Sequence, residues 1–365
     1  VADDSLDRQR LVELLEVFLL GEPPTLDGLD IAERIGIPIE VARERWRSLG
    51  FSAVDDDEVA FTEADLRAMQ LTQKLHALGL IDEERESALV RTMGRSFARL
   101  AEWQVGLLAR AVDLERTDLG QLEAMMSEVV PVLEEVQAFV WRRHVLSAAS
   151  RQLLAPGQGV EDGAMAVGFA DIVGYTRQSR SLKQAELARL VEEFEARALA
   201  VVTEHHGRII KTIGDEILFV TDTPAAAARI GLLLAGAHHQ QPDFPELRVG
   251  LAWGRVLRRL GDVYGPVVNM AARLTSIARP GRVLVDRDLA DALADDEAFR
   301  LRRMRRTSVK GYRHLAPWNL RWADDGSPPS GPASGLLQQH REHLRRAVDQ
   351  VQPRSERAAG PEGVE

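Results

Sequence analysis

The strongest constraint in this chain is the order of periodicities between residues 164 and 254. AMAVGFADI (164–172) is a short continuous apolar run of strand length. KQAELARLVEEFEARALAVVTEHHG (183–207) repeats apolar residues at helical spacing and stops at Gly207. GRIIKTI (207–213) and ILFVTD (217–222) are strand-like and are joined by Gly214-Asp215-Glu216, a hairpin turn. TPAAAARIGLLLAGAHH (223–239) reads as a helix and LRVGLAWG (247–254) as a strand. Further strands are expected at 282–286, 299–304 and 318–323, with a short helix between the first two.

The order β-α-β-β-α-β is the split arrangement of ferredoxin-like domains, so the expected class is α+β. It places Asp171 at the end of the first strand and Asp215 at the tip of the neighbouring hairpin, where two carboxylates converge. With the Ile172 carbonyl they form a hard oxygen site suited to two divalent cations, Mg²⁺ or Mn²⁺. Val173-Gly174-Tyr175-Thr176 then lead into a helix whose backbone N–H groups suit phosphate oxygens. Downstream, GDVYGPVVNMAARLT (261–275) reads as a strand end carrying Asp262, a Gly-Pro turn, and a helix from about Val267. Asn269 and Arg273, four apart, project from one face of that helix. An amide and a guanidinium so placed suit a sugar and a charged phosphoryl group. Read alone, the same stretch is equally an amphipathic helix with a surface Arg.

Residues 1–155 read as almost wholly helical, and 365 residues make two folded units the natural expectation. We divide the chain into an all-helical domain over 1–130, a connecting helix over 131–157, an α+β domain over 158–323 and a tail over 324–365. Within the first, DIAERIGIPIEVARERWRSLGF (30–51) resembles a helix-turn-helix, with Ala32, Val41 and Trp46 inward and Gly36 at the turn. Arg43, Arg45 and Arg47 would then face phosphates. Against this, residues 1–57 hold 14 Asp and Glu against 6 Arg, a balance that a duplex repels. Helices are expected at about 63–79, 82–115 and 118–129, with Thr62 and Asp65 capping the first. Pro131 reads as the first residue of a new helix, PVLEEVQAFVWRRHVLSAASRQLL, ending at Ala155-Pro156-Gly157. The tail opens with the linker-like DDGSPPSGPASG and continues in a polar, helix-prone segment.

The net charge of −10 argues against wholesale binding to nucleic acid or anionic membrane. The absence of cysteine excludes disulfides, thiolate nucleophiles and Cys-based zinc sites. No apolar run reaches membrane-spanning length and no basic-then-apolar leader opens the sequence as given, so a cytoplasmic protein is expected.

Taken together, FADIVGYT, KTIGDEILF, GDVYGPVVNMAARL and SVKGY resemble the signature blocks of class III nucleotide cyclases, in order and spacing, over about 165–323. The nearest likeness is to bacterial adenylate cyclases with a soluble N-terminal regulatory domain. The resemblance implies conversion of ATP to 3′,5′-cyclic AMP and pyrophosphate. It makes Asp171, Asp215 and the Ile172 carbonyl the holders of two metal ions. Lys211 and Asp262 become the adenine-selecting pair, Asn269 the ribose-orienting residue, Arg273 the stabiliser of charge on the α-phosphate, and Lys310 the grip on the terminal phosphates. Tyr175 stands where the family usually has Phe. In that family the site spans two catalytic domains, so a homodimer with two sites is implied, the aspartates coming from one copy and Lys211, Asp262, Asn269 and Arg273 from the other.

The helical half then reads as a modulator that holds the catalytic domains apart or misaligned, with 131–154 transmitting. His144, beside Arg142 and Arg143, is a candidate pH sensor, and a pocket for a small effector is the alternative. Two rival readings of the whole chain are a transcription regulator using 30–51 and a diguanylate cyclase-like enzyme. The latter shares the Gly-Asp-Glu hairpin but not the Lys211/Asp262 pair or the Asn269/Arg273 helix.

Overall fold

A computed structural model describes residues 8–79, 82–111, 119–154, 162–305, 307–309 and 312–323. The chain divides into two compact units, Val1–Ala155 and Pro156–Glu365. Among the described residues no helix is long and apolar enough to cross a membrane.

The first unit consists of α1 (Arg8–Leu20), α2 (Gly28–Ile35), α3 (Ile39–Ser48), α4 (Glu63–Ala77), α5 (Glu83–Ala111) and α6 (Leu119–Leu154). Its starts and stops are local chemistry. Asp27 and Asp30 form a reciprocal capping box at α2, and Gly36 ends that helix at φ 75°, a backbone state that glycine adopts without strain. Thr62 and Asp65 cap α4 in the same reciprocal way, as the spacing predicts. Leu26, Ile31, Ile35, Phe61, Leu66 and Met69 form a small core, with Trp46 packed on it. A Cβ at Gly94 would lie 2.1 Å from the Leu49 carbonyl oxygen, so α5 meets the end of α3 backbone to backbone.

Two helices, α2 and α3, occupy the segment 30–51 with Gly36 between them, but two of the three arginines at 43, 45 and 47 are committed inside the unit. Arg43 donates to both Asp56 oxygens, at 2.6 and 2.8 Å, and Arg45 pairs with the buried Glu86 at 3.0 Å. The acidic run at 55–57 thus anchors α3 rather than leaving its cations open to phosphates. The expected helix start at Pro131 is also corrected: α6 is one 36-residue helix that runs through Pro131. Proline removes one backbone bond and crowds one carbonyl at a cost of about 3 kcal/mol. The remaining ladder carries the helix past it, and Leu122 and Met126 anchor its front by burial.

The second unit is built on β1 (Asp162–Ile172), α7 (Tyr175–Gln178), α8 (Gln184–Glu204), β2 (Arg208–Ile213), β3 (Glu216–Thr221), α9 (Pro224–Gln240), β4 (Leu247–Arg259), β5 (Asp262–Tyr264), α10 (Pro266–Ile277), β6 (Val283–Val285), α11 (Arg287–Ala292), β7 (Phe299–Arg303), β8 (Thr307–Val309), β9 (Tyr312–Leu315) and β10 (Trp318–Trp322). The main sheet runs β2-β3-β1-β4-β6-β10-β7, with β5 paired to β4, while β8 and β9 pair separately. Its first four strands have the ferredoxin-like order that the sequence predicts. Alternation along β1 separates two layers. Ala166, Ala170 and Ile172 join the core with Phe194 and Val202 of α8 and Ile230 and Leu234 of α9. Met165, Val167 and Phe169 point to the other side, with Ala271 of α10. A Cβ at Gly250 would lie 2.4 Å from the Ala271 carbonyl oxygen, so only glycine lets α10 seat this closely on β4.

β4 is longer than the sequence suggests. It runs to Arg259, turns at Leu260 (φ 55°) and Gly261 (φ 78°), and returns as β5. A leucine in the left-handed region is a poor turn signal, which is why this hairpin is hard to read in advance. The expected helix end at Ala155-Pro156-Gly157 and the tail from 324 lie outside the described residues.

Candidate active site

Three charged residues stand in a row across the sheet. Asp171 is in register with Glu216 on β3 and with Arg248 on β4. All three are on the side of the sheet that faces α10, since Asp171 continues the alternation of Val167 and Phe169. Arg248 Nε donates to Asp171 Oδ2 at 2.6 Å, and its Nη1 lies 3.4 Å from the Ser276 carbonyl at the end of α10. Ile172 N–H donates to the Asp215 carbonyl at 3.1 Å, which ties the hairpin tip to the end of β1. The sequence therefore brings Asp171, Ile172 and Asp215 together as expected.

Burial of Asp171 pushes its carboxyl above the ordinary range; Arg248 opposes this and the neighbouring Asp215 adds to it. Glu216 is raised to about 7, first by burial and then by Asp171 and Asp215, with Arg248 opposing. Burial is the main cause at both groups, and the smaller mutual effects of Asp171, Asp215 and Glu216 reflect three carboxyls gathered beside one guanidinium. Among the described residues no three His, Asp or Glu form a ready-made cage. Two carboxylates and a carbonyl leave positions for water and phosphate oxygens, which is how Mg²⁺ is commonly held. The donor set fits a divalent ion.

A second cluster forms where β5 approaches β2. Lys211 Nζ donates to Asp262 Oδ2 at 2.5 Å, joining residues 51 apart in sequence. Lys211 is in register with Leu218, whose side chain belongs to the α10 side of the sheet. On α10, Gly265 and Pro266 open the helix, Ala271, Leu274 and Thr275 are buried, Asn269 is exposed and Arg273 half-buried. Gly174 (φ 74°) caps α7, with Tyr175 half-buried and Thr176 exposed beside it. Among the described residues no hydrogen bond or ion pair links Asp171 or Asp215 to Lys211, Asp262, Asn269 or Arg273.

A family model for the adenylate and guanylate cyclase catalytic domain matches residues 160–321, and one for an adenylate cyclase regulatory domain matches 8–137. An adenylate cyclase of Glutamicibacter nicotianae is 38% identical over 329 residues, covering 85% of this chain and 82% of the relative. The chain belongs to the adenylate and guanylate cyclase family. An adenylate cyclase of Streptomyces coelicolor is 35% identical, covering 89% of this chain and 94% of the relative. Among solved structures, an adenylate/guanylate cyclase/hydrolase from Silicibacter pomeroyi is 27% identical, with a TM-score of 0.39, covering 44% of this chain and 97% of that one.

Within this cyclase chain, Lys310 lies between β8 and β9, outside the described residues. His144 is exposed on α6, beside the equally exposed Arg142 and Arg143. Sequence reasoning passed over Arg248 and Glu216. The one signal for Arg248 was a lone arginine in an otherwise apolar strand, and only strand register reveals that it faces Asp171. Glu216 reads as part of a turn in the sequence, whereas it is the first residue of β3 and stands across from Asp171.

Proposed function

We propose that this enzyme is an adenylate cyclase that converts ATP to 3′,5′-cyclic AMP and pyrophosphate at sites shared between two copies of the chain. The observation that carries the choice of base is the Lys211–Asp262 pair. An ammonium donates to adenine N1 and a carboxylate accepts from the exocyclic amine. Guanine presents N1–H and O6, which would leave both groups mismatched. Asp171, Asp215 and the Ile172 carbonyl hold two divalent cations, Mg²⁺ or Mn²⁺. When bound, these ions lower the pKa of the ribose 3′-hydroxyl and neutralise charge on the phosphates. Gly174, Tyr175 and Thr176 offer backbone N–H groups to phosphate oxygens. Asn269 orients the ribose, Arg273 stabilises charge on the α-phosphate as the 3′-oxygen attacks and pyrophosphate leaves, and Lys310 grips the terminal phosphates.

Two copies are taken in this reading because the family resemblance draws the aspartates from one copy and Lys211, Asp262, Asn269 and Arg273 from the other; among the described residues the two clusters make no polar contact within one chain. A two-fold axis that sets one copy's aspartates opposite the other copy's α10 gives two equivalent sites. Mixing Asp171→Ala and Arg273→Ala chains, each inactive alone, should restore roughly a quarter of wild-type activity, because half the dimers carry one intact site. A mixture that stays inactive while both variants fold and dimerise overturns the arrangement. Supplying ATP and GTP separately, with products resolved by chromatography, tests the base.

The helical unit modulates this activity. The rival DNA-binding reading of 30–51 loses support from the Arg43–Asp56 and Arg45–Glu86 pairs.

A further inference from the structure

Strand register extends the row at Asp171 across the rest of the sheet. Arg248 lies at the start of β4, and its neighbour Val249 pairs in parallel with Val283 of β6, which puts Arg282 beside Arg248. Leu320 of β10 pairs with Val283, so Arg321 follows Arg282. Arg321 in turn pairs with Arg300 of β7. Side chains alternate along each strand. Val283, Leu320 and Phe299 belong to the core shared with α8 and α9, whereas Leu284 packs with Leu274 of α10. Arg282, Arg321 and Arg300 are therefore on the α10 side, as Asp171 and Arg248 are. Across β3, β1, β4, β6, β10 and β7 the row is Glu216, Asp171, Arg248, Arg282, Arg321 and Arg300. It is acidic on the first two strands and basic on the other four. At the usual spacing of strands its basic part spans about 14 Å.

Arg282, Arg300 and Arg321 are exposed. Among the described residues no ion pair or hydrogen bond engages their guanidinium groups, and the acids just before β7, Asp295, Asp296 and Glu297, pair with none of them. Like charges directly opposite on neighbouring strands destabilise a sheet, and Arg321 and Arg300 are such a pair. The chain as a whole carries −10. The fold thus gathers cations here against its overall balance, and an anion in the row would relieve their repulsion. Charge on an edge strand also discourages edge-to-edge aggregation. That role accounts for β7 alone, because β6 and β10 are interior strands. We propose that Arg282, Arg321 and Arg300 form an anion subsite that extends the candidate nucleotide site and takes a phosphate chain. The anion is a phosphate chain because the row starts at a metal-holding aspartate, where a triphosphate is cleaved and pyrophosphate released, a choice that rests on the cyclase reading above. The chain has two sources, the incoming ATP and the outgoing pyrophosphate.

The test is binding of inorganic triphosphate to the full-length protein, measured by calorimetry without divalent ions so that no metal mediates it. Arg300→Gln combined with Arg321→Gln should weaken binding ~threefold or more at low salt, and the gap should close at about 0.5 M salt. Arg303→Gln removes the same charge from the opposite face of β7 and should bind as wild type does. Arg300→Lys combined with Arg321→Lys keeps both charges and should stay within ~twofold of wild type. An unchanged constant in the glutamine pair, or an equal loss in Arg303→Gln or in the lysine pair, overturns the subsite. Kinetics on the glutamine pair then separate the sources. A raised KM for ATP assigns the incoming triphosphate, and a raised inhibition constant for pyrophosphate assigns the outgoing chain. If neither rises, the row plays no part in the reaction and the proposal falls. If ATP is not cyclised while triphosphate binding follows the expected pattern, the subsite stands and the proposed reaction falls. If ATP is cyclised and the glutamine pair binds triphosphate as wild type does, the subsite alone falls.

Discussion

The two units handle apolar surface in opposite ways. In the catalytic unit, Phe194, Phe219, Ile230, Leu234 and Leu251 are fully buried between one sheet and its helices. In the helical unit, long stretches of α5 and α6 leave Phe97, Trp103, Phe139 and Trp141 more than half exposed. A sheet with helices on both sides closes its own core. Extended helices close theirs only against other helices. The lesson is a division of incompleteness. The catalytic unit is complete as a fold and, in the proposed reading, incomplete as a site. The helical unit has a small core around Phe61, followed by helices whose large apolar side chains are exposed among the described residues.

The sharpest way to break this comparison is at the aspartates. Asp171→Asn should lower cyclase activity by ~10²–10³-fold with little change in melting temperature, because the amide oxygen can still accept from Arg248 while the buried carboxylate charge is removed. A parallel loss of thermal stability would make Asp171 structural instead. Next in size is Phe194→Ala, expected to destabilise the catalytic unit by about 3–5 kcal/mol in denaturant unfolding. Val136→Ala, at an exposed position of α6, should cost less than about 1 kcal/mol. Equal costs would mean that α6 is buried after all.

A third test uses Asp286, whose carboxylate accepts from Leu289 N–H at the start of α11 and from Trp253 N–H on β4. Burial raises its pKa to about 6 despite these bonds. The folded value is above the unfolded one, so the contribution is fully present below about pH 4 and is lost as pH rises through about 6. Wild type should therefore lose about 3 kcal/mol relative to Asp286→Asn between pH 4 and 7. A pH-independent difference between the two removes the burial argument. The smallest effect is expected at Arg43→Ala, which breaks a partly exposed pair with Asp56 and should barely move the denaturation midpoint. A much larger loss would show that α3 depends on that one contact.

Much of this protein is legible in its sequence. The strand order of the catalytic unit, the caps at Thr62 and Gly36, and the meeting of Asp171 with Asp215 follow from local spacing, because alternation, helical period and turn chemistry act over a few residues. What the sequence left open depends on register and long-range approach. It takes strand pairing to bring Arg248 and Glu216 to either side of Asp171, and the β4–β5 hairpin to carry Asp262 to Lys211. Tertiary packing commits Arg43 and Arg45 to Asp56 and Glu86. The continuity of α6 through Pro131 likewise shows a long hydrogen-bond ladder outweighing one local break. Short-range rules wrote the elements; the partners of each charge were decided only when those elements were stacked.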